Sequence, residues 1–442
     1  MLKRIVNVRE DETPTLLWSF AYFFCLLCSY YVLRPVRDEM GIQGGLENLQ
    51  WMFTGTFVAM LVVVPIFGAA VARFPCHRLL PLVYYFFILN LLGFFALFKA
   101  GIVPTYVARA FFIWVSVFNL FVVSVFWSFM ADLFTNAQAR RLFGFIAAGG
   151  SAGAIVGPAL TASLAAPLGP VNLLLISALF LALAIVCIHR LVRWAAKHED
   201  DLRAQASPEE RQTNGSRSLE VPIGGGILTG VKLAFRSPYL LGICLYIWLY
   251  TTLSTFLYFE QAHIVASAFA ESTQRIALFA SIDLAVNALT ILGQVFVTGR
   301  MVARFGLPVT LALMPAVVGL GFVTLGLFPV LAVLVAFQVL RRAGNYAIAR
   351  PAREMLFTVI GREEKYKSKN FIDTVVYRGG DAVSGWLFAG LTGMGLGLSA
   401  IAFVAVPVAA AWLVTGLALG KKQEALRLAT IGGVAGAEVR SA

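Results

Sequence analysis

The stretch QVLRRAGNYAIARPAREMLF, residues 338–357, decides how this sequence is read. It lies inside an apolar run of membrane-helix length, yet it carries Arg341, Arg342, Arg350, Arg353 and Glu354. A cation at mid-membrane costs at least about 2.5–3.5 kcal/mol on insertion scales, so such residues face a polar cavity or a partner. Near a helix end they snorkel to the interface and carry little meaning. Counted from Leu331, Arg341 and Arg342 fall roughly 15–17 Å along a helix axis, close to the midplane. Arg342, Asn345, Tyr346, Arg350, Arg353 and Glu354 follow three- and four-residue spacing and form one polar stripe. Pro351 removes a backbone hydrogen bond within it and predicts a kink. A kinked, arginine-lined helix suits the wall of a cavity that holds an anion. The competing reading is internal pairing of Arg350 with Glu354 at i,i+4.

The rest of the chain has the same setting. Its 442 residues are 59% hydrophobic and only 13% charged, which excludes an ordinary water-soluble domain. Continuous apolar runs of about 20 residues read as transmembrane helices, because the backbone must satisfy itself in lipid and the pattern does not alternate as a barrel strand would. Such runs fall at 15–39, 49–72, 79–98, 103–130, 142–165, 171–191, 238–259, 274–298, 307–327, 331–358, 371–393 and 398–419. The expected fold is an all-α integral membrane protein of twelve transmembrane helices in two six-helix, pseudo-symmetric halves. The halves are 1–192 and 238–420, joined by a polar central loop, 193–237, and followed by a tail, 421–442.

Lys and Arg cluster in segments 1–14, 72–80, 131–141, 190–237, 299–307, 359–370 and 421–442. The alternate segments hold only Arg34, Arg37, Lys99 and Arg275. The positive-inside rule then places both termini in the cytoplasm, and the expected location is the inner (cytoplasmic) membrane. The net charge of +12 is accounted for by these loops, so no nucleic-acid partner is expected. Cys25 and Cys28 form a C-x-x-C, but within an apolar run and without a redox context; with Cys76, Cys187 and Cys244 they read as packing residues, and no disulfide is expected. The first apolar run has no cleavable-signal character. His77, His189, His198 and His263 are scattered near helix ends. No nucleophile–base pair, metal cluster or cofactor motif is present in the sequence, so neither an enzyme nor a metal or cofactor protein is expected. The expected partners are the lipid bilayer and a small anionic substrate, with the chain as a monomer.

The halves repeat. VARFP at 71–75 returns as VARFG at 302–306, LFT at 133–135 returns at 356–358, and GGSA at 149–152 returns as GGDA at 379–382. Two six-helix halves in parallel repeat resemble the major facilitator superfamily. The loop GAAVARFPCHR, 68–78, is similar to a degraded form of that superfamily's loop between its second and third helices, with Ala72 at the usual acidic position. Gly144, Gly153, Gly157 and Pro158 resemble the start of its antiporter motif, but Thr161 and Ala162 replace the trailing glycines. The alternative is plain small-residue packing, since Gly149, Gly153 and Gly157 lie at four-residue spacing.

Other charged residues within apolar runs leave two readings each. Arg34 and Arg37, in YYVLRPVRDEMG at 30–41, are interfacial or face a cavity, with Asp38 and Glu39 beside them. Arg109 is within snorkelling distance of a helix end. Arg378 and Asp381 are spaced to pair, and Asp283 either carries a proton or holds an arginine.

Three segments resemble the ATP/ADP translocase family of nucleotide transporters. They are YYVLRPVRDEM ending span 1, FWSFMADLFTNAQARRLFGFIAAGGSAGAIVG at 126–157, and NYAIARPAREMLFTVIGREEKYKSKNFIDTVVYRGGDAVSG at 345–385. In the third, Tyr346, Pro351, Arg353, Glu354, Met355, Lys365, Lys367, Lys369, Ile372, Asp373 and Val375 match the family's order. The resemblance implies a nucleotide exchanger, with Arg37 and Asp132 at the family's span 1 base and span 4 acid and Arg353–Glu354 at its span 10 pair. Two departures stand out: Arg350 replaces an aspartate before the proline, and Asp381 and Ala382 lie where the family has a lysine. The expected function is secondary active transport of an organic anion, nucleotide or other phosphorylated metabolite, by alternating access. Arg37, Arg342 and Arg353, with Arg350 nearby, would clamp the anion through bidentate bonds; Asn345 and Tyr346 would orient it. An empty cationic cavity resists closing, which favours exchange. Asp132, Asp283, Glu354 and Asp381 are the candidate gating or coupling groups. Rival readings are proton-coupled transport of another amphipathic anion, with Asp283 or Glu354 as carrier, and a non-transporting membrane sensor or scaffold.

Overall fold

A computed structural model describes residues 12–73, 76–102, 104–197, 237–361, 368–369 and 371–441. The segment 198–236, most of the expected central loop with His198 in it, lies outside the described residues, as do Lys365, Lys367 and the side chains of Ala72, Cys76 and His77. The described secondary structure is helical: α1 (Thr13–Gln43), α2 (Leu49–Arg73), α3 (Cys76–Ala100), α4 (Pro104–Leu133), α5 (Asn136–Leu168), α6 (Leu173–Lys197), α7 (Pro238–Ala268), α8 (Ser272–Gly293), α9 (Gly299–Leu327), α10 (Leu331–Gly344), α11 (Arg350–Met355), α12 (Tyr377–Gly393) and α13 (Leu398–Ser441). Three π-helical turns interrupt or lead into these, at Gln294–Thr298, Asn345–Ala349 and Ile372–Val376. Nine stretches among the described residues are long and apolar enough to cross a membrane, and the chain is a multi-pass membrane protein. One of them, Ser272–Leu327, is kinked at Gly306, whose φ of 74° interrupts the helix in a conformation that side chains with a Cβ rarely adopt.

The chain divides into two compact units. The first comprises Met1–Asn48, Val58–Val221 and Phe269–Asn287. Its axis is α1 against α5. Lipid gives two helices no hydrophobic reason to associate, so close packing must do it. Built on Gly149 and Gly153, a Cβ would lie 2.4 Å from the carbonyl oxygens of Phe20 and Phe24; on Gly157 it would lie 2.8 Å from the Tyr31 Cβ. The four-residue glycine stripe is therefore the seam where α5 meets the backbone of α1. Thr135 and Gln138 close a capping box at the start of α5, and Glu12 receives Arg141 and Gln138 there. Aromatic rings fill the space between α1, α3 and α4. Phe23 stacks on Phe126 at 4.1 Å, and the Tyr22 and Tyr84 hydroxyls meet at 2.6 Å.

The second unit comprises Leu49–Phe57, Pro222–Ala268 and Ala288–Ala442. Here α9 and α13 make the close approach: Gly420 faces the backbone of Pro308 and Gly416 that of Leu311. Tyr246 on α7 donates its hydroxyl to the Leu311 carbonyl at 3.0 Å. The start of α2 packs here too, with Phe53 against Phe259 and Trp51 against Trp386. Large apolar side chains such as Leu82, Leu89, Leu320 and Val414 are exposed, as a lipid-facing surface requires.

The glycine seam yields the first prediction. Gly153→Leu should abolish recovery of a monodisperse protein from detergent. Gly93→Leu, whose Cβ position has nothing within 4 Å, should be recovered like the wild type. Equal recovery of both variants in size-exclusion profiles would show that the seam is not required.

Candidate functional site

In the second unit the opening stretch builds a buried basic centre. The inward face of α10 is Leu334, Phe337, Gln338 and Arg341, at helical spacing. Arg341 is only 7% exposed. It donates from Nη1 to the Ser254 hydroxyl on α7 at 2.9 Å and from Nη2 to Gln338 Oε1 at 3.1 Å. Its Nε has no hydrogen-bond partner among the described residues. Tyr250, Tyr346, Tyr377, Asp381 and Arg342 all lie within electrostatic range of its guanidinium. The Tyr250 and Tyr377 rings are 6.0 Å apart, and Arg378 lies over the Tyr377 ring at 5.4 Å. Arg342, Asn345 and Tyr346 are half-buried, whereas Arg350 is exposed.

The helix does not hold one register through this stretch. The π-turn Asn345–Ala349 inserts a residue, which rotates everything after it and separates Arg342 from Arg353 as members of a single stripe. Pro351 is the local cause: it cannot donate to the carbonyl of Ala347, four residues back. The Thr298 hydroxyl, from the π-turn after α8, takes that carbonyl instead, and the Gln294 amide reaches the Tyr346 carbonyl at 3.5 Å. Gly293 permits the approach, because a Cβ there would lie 2.8 Å from the Ala347 Cβ.

Beyond the turn, Glu354 pairs with Lys369 and not with Arg350. Arg353 is half-buried and within electrostatic range of Tyr246 and Asp373. Asp381 pairs with Arg378 at 3.5 Å and accepts from the Thr255 hydroxyl at 3.3 Å.

A second charged cluster lies in the first unit, where α1 runs on past the expected span to Gln43. Arg34 and Asp283 form an ion pair at 3.6 Å, longer than a hydrogen bond, with Asp283 only 1% exposed. Arg37 chelates Asp38 at 2.6 and 3.0 Å and lies over the Phe112 ring at 5.2 Å. Glu39 is fully buried and receives both Nε and Nη2 of Arg275 at 2.7 Å. Asn287 accepts from the Tyr31 hydroxyl and donates to the Ala154 carbonyl, so α8 is tied to both α1 and α5. Arg109 donates to the Gly44 carbonyl at 2.7 Å. Asp132 sits exposed at the end of α4. No group of side chains among the described residues is arranged to hold a metal ion.

Sequence reasoning does not select Arg275, Gln338, Ser254 or Glu260. The expected span ends at 259, but α7 continues to Ala268 and takes Glu260 with it. Glu260 is 1% exposed, and neither carboxyl oxygen has a hydrogen-bond partner among the described residues. The run FEQAHIVASA carries no helix breaker, and that is the available signal.

Residues 15–352 match the Major Facilitator Superfamily model, and the chain belongs to that superfamily. No curated protein sequence matches it. Among solved structures it is similar to the POT family transporter PepTSo (TM-score 0.64, 13% identity, 93% of this chain and 98% of that one). It is also similar to a bacterial homologue of the iron transporter ferroportin in an inward-facing state (TM-score 0.63, 13% identity, 93% and 98%). A third is a point mutant of the nucleoside transporter NupG (TM-score 0.61, 11% identity, 93% and 99%). These likenesses speak for the fold of a membrane transporter.

The buried Glu39–Arg275 pair gives a stability prediction. Glu39→Ala should cost about 3–5 kcal/mol, because it leaves a largely buried cation unpaired. Glu39→Leu with Arg275→Leu should recover most of that loss in thermal unfolding of the detergent-solubilised protein. A double variant as unstable as the single one would argue against the pair.

Proposed function

We propose that the chain is a secondary active transporter for an organic anion, of the phosphorylated-metabolite or nucleotide class, working by exchange. The carrying observation is Arg341. It is a guanidinium deep in a membrane helix, held by neutral partners, with its Nε unpartnered among the described residues and three tyrosines around it. A fixed, oriented guanidinium is suited to phosphate or carboxylate, and aromatic rings beside it suit a base or other planar group. Arg342, Asn345, Tyr346 and Arg353 extend the basic lining, with Arg350 a further candidate; Arg37, in the first unit, is a separate candidate for anion contact. The uncompensated positive charge of an empty site resists closing, which favours replacing one anion by another over closing empty, and Asp381 in electrostatic range offsets only part of that charge.

The reading includes twelve spans in two six-helix halves with both termini cytoplasmic, and alternating access between the halves. The nine apolar stretches, the interruption at Gly306 and the runs Leu331–Met355 and Tyr377–Gly393 support that count. The likeness of 345–385 to ATP/ADP translocases motivates the choice of nucleotide.

Proteoliposomes loaded with ADP should take up labelled ATP, and empty ones should not. Arg341→Gln should reduce uptake at least tenfold while the protein purifies normally, and Arg341→Lys should retain part of it. Wild-type rates in Arg341→Gln would rule the site out. Absence of uptake by the folded wild type would remove nucleotides and leave other organic anions to be screened.

A further inference from the structure

The buried carboxyl groups of the described residues are Glu12, Asp38, Glu39, Asp283 and Glu260. Four of them have an arginine: Glu12 has Arg141, Asp38 has Arg37, Glu39 has Arg275 and Asp283 has Arg34. Glu260 has none, and both of its oxygens lack a hydrogen-bond partner among the described residues. The acids that the sequence offered as proton carriers, Asp283 and Glu354, are each committed to a cation.

Among the described residues, the elements packed most closely on α7 supply no substitute for it. Within its unit, α7 packs against α12, α13, α10 and the π-turn Ile372–Val376. On α12 the charged groups are Arg378 and Asp381, which pair with each other. Asp381 is held by Thr255, about 7.5 Å down the axis of α7 from Glu260. On α10 they are Arg341 and Arg342, and Arg341 is bound at Ser254, further down still. The π-turn carries Asp373, and α13 carries no charge between Leu398 and Gly420. The first turns of α2, Leu49–Phe57, contribute only apolar and neutral polar groups. On α7 itself, the Tyr258 ring meets Phe53, and His263 directs Nδ1 to the Phe259 carbonyl.

We propose that Glu260 is a proton-binding site of the transport cycle: a neutral carboxylic acid in this conformation that releases its proton when the surroundings of α7 admit water. An ionised carboxylate buried without a counter-charge or donor is far costlier than the neutral acid, so burial and a bound proton go together. The exchange conserves atoms simply: the O–H bond of the carboxylic acid breaks, the proton passes to water, and the carboxylate remains until a proton returns from the other side. The inference rests on the transporter reading but not on the identity of the anion.

The test uses the full chain in liposomes. Infrared difference spectra are recorded between neutral and alkaline buffer. The wild type should lose a protonated-carboxyl carbonyl band and gain carboxylate bands as the pH rises. Glu260→Gln, a neutral isostere expected to fold, should lack that component, and Glu260→Asp should restore one. Identical spectra for the wild type and Glu260→Gln would overturn the proposal whatever the substrate is. Where ADP-loaded liposomes take up ATP, Glu260→Gln should also flatten the pH profile of uptake, and an unchanged profile would equally overturn it. No ATP uptake by the wild type would count against nucleotide as substrate and leave the infrared titration to decide on Glu260.

Discussion

Charge inside hydrocarbon must bring its own solvation, and this constraint orders the molecule. Arg141, Arg37, Arg275 and Arg34 each stand against a buried acid, and Arg341 is met by a hydroxyl and an amide. Such pairs add little net stability, since desolvation offsets much of their attraction. They do fix which faces of α1, α5, α8 and α10 turn inward, because any other rotation would strand a charge among lipid tails.

The two kinds of buried charge serve different ends. Glu39 with Arg275 is bidentate and closed, with the guanidinium also bound to the Phe269 and Ala270 carbonyls. Nothing about it invites a ligand. Arg341 is held by neutral groups, so its charge is positioned but not neutralised by direct contact. This difference separates a structural ion pair from the residue on which the proposed function rests.

Much of this was legible in the sequence. Continuous apolar runs reveal a multi-pass helical protein, and the arginines in residues 338–357 mark a helix that carries buried charge. What escaped was register and partnership. A stripe drawn from Arg342 to Glu354 assumes an unbroken 3.6-residue period, and the π-turn Asn345–Ala349 removes that assumption. The pairing of Glu354 with Lys369, and of Glu39 with Arg275, joins residues far apart in the chain and has no local signature. Glu260 is lost to a hydropathy boundary, because an acid looks like a helix end to any reading that scores residues by polarity.

The Thr298–Ala347 hydrogen bond has a mechanical consequence. Each partner lies in a π-turn, one following α8 and the other following α10. Tightening either turn to an ordinary helix would swing its partner group out of reach and uncover the carbonyl that Pro351 cannot serve. The two bends are therefore tied to each other, and the tie between the helix bearing Arg350 and Arg353 and the helix that ends at Gly293 is one threonine hydroxyl.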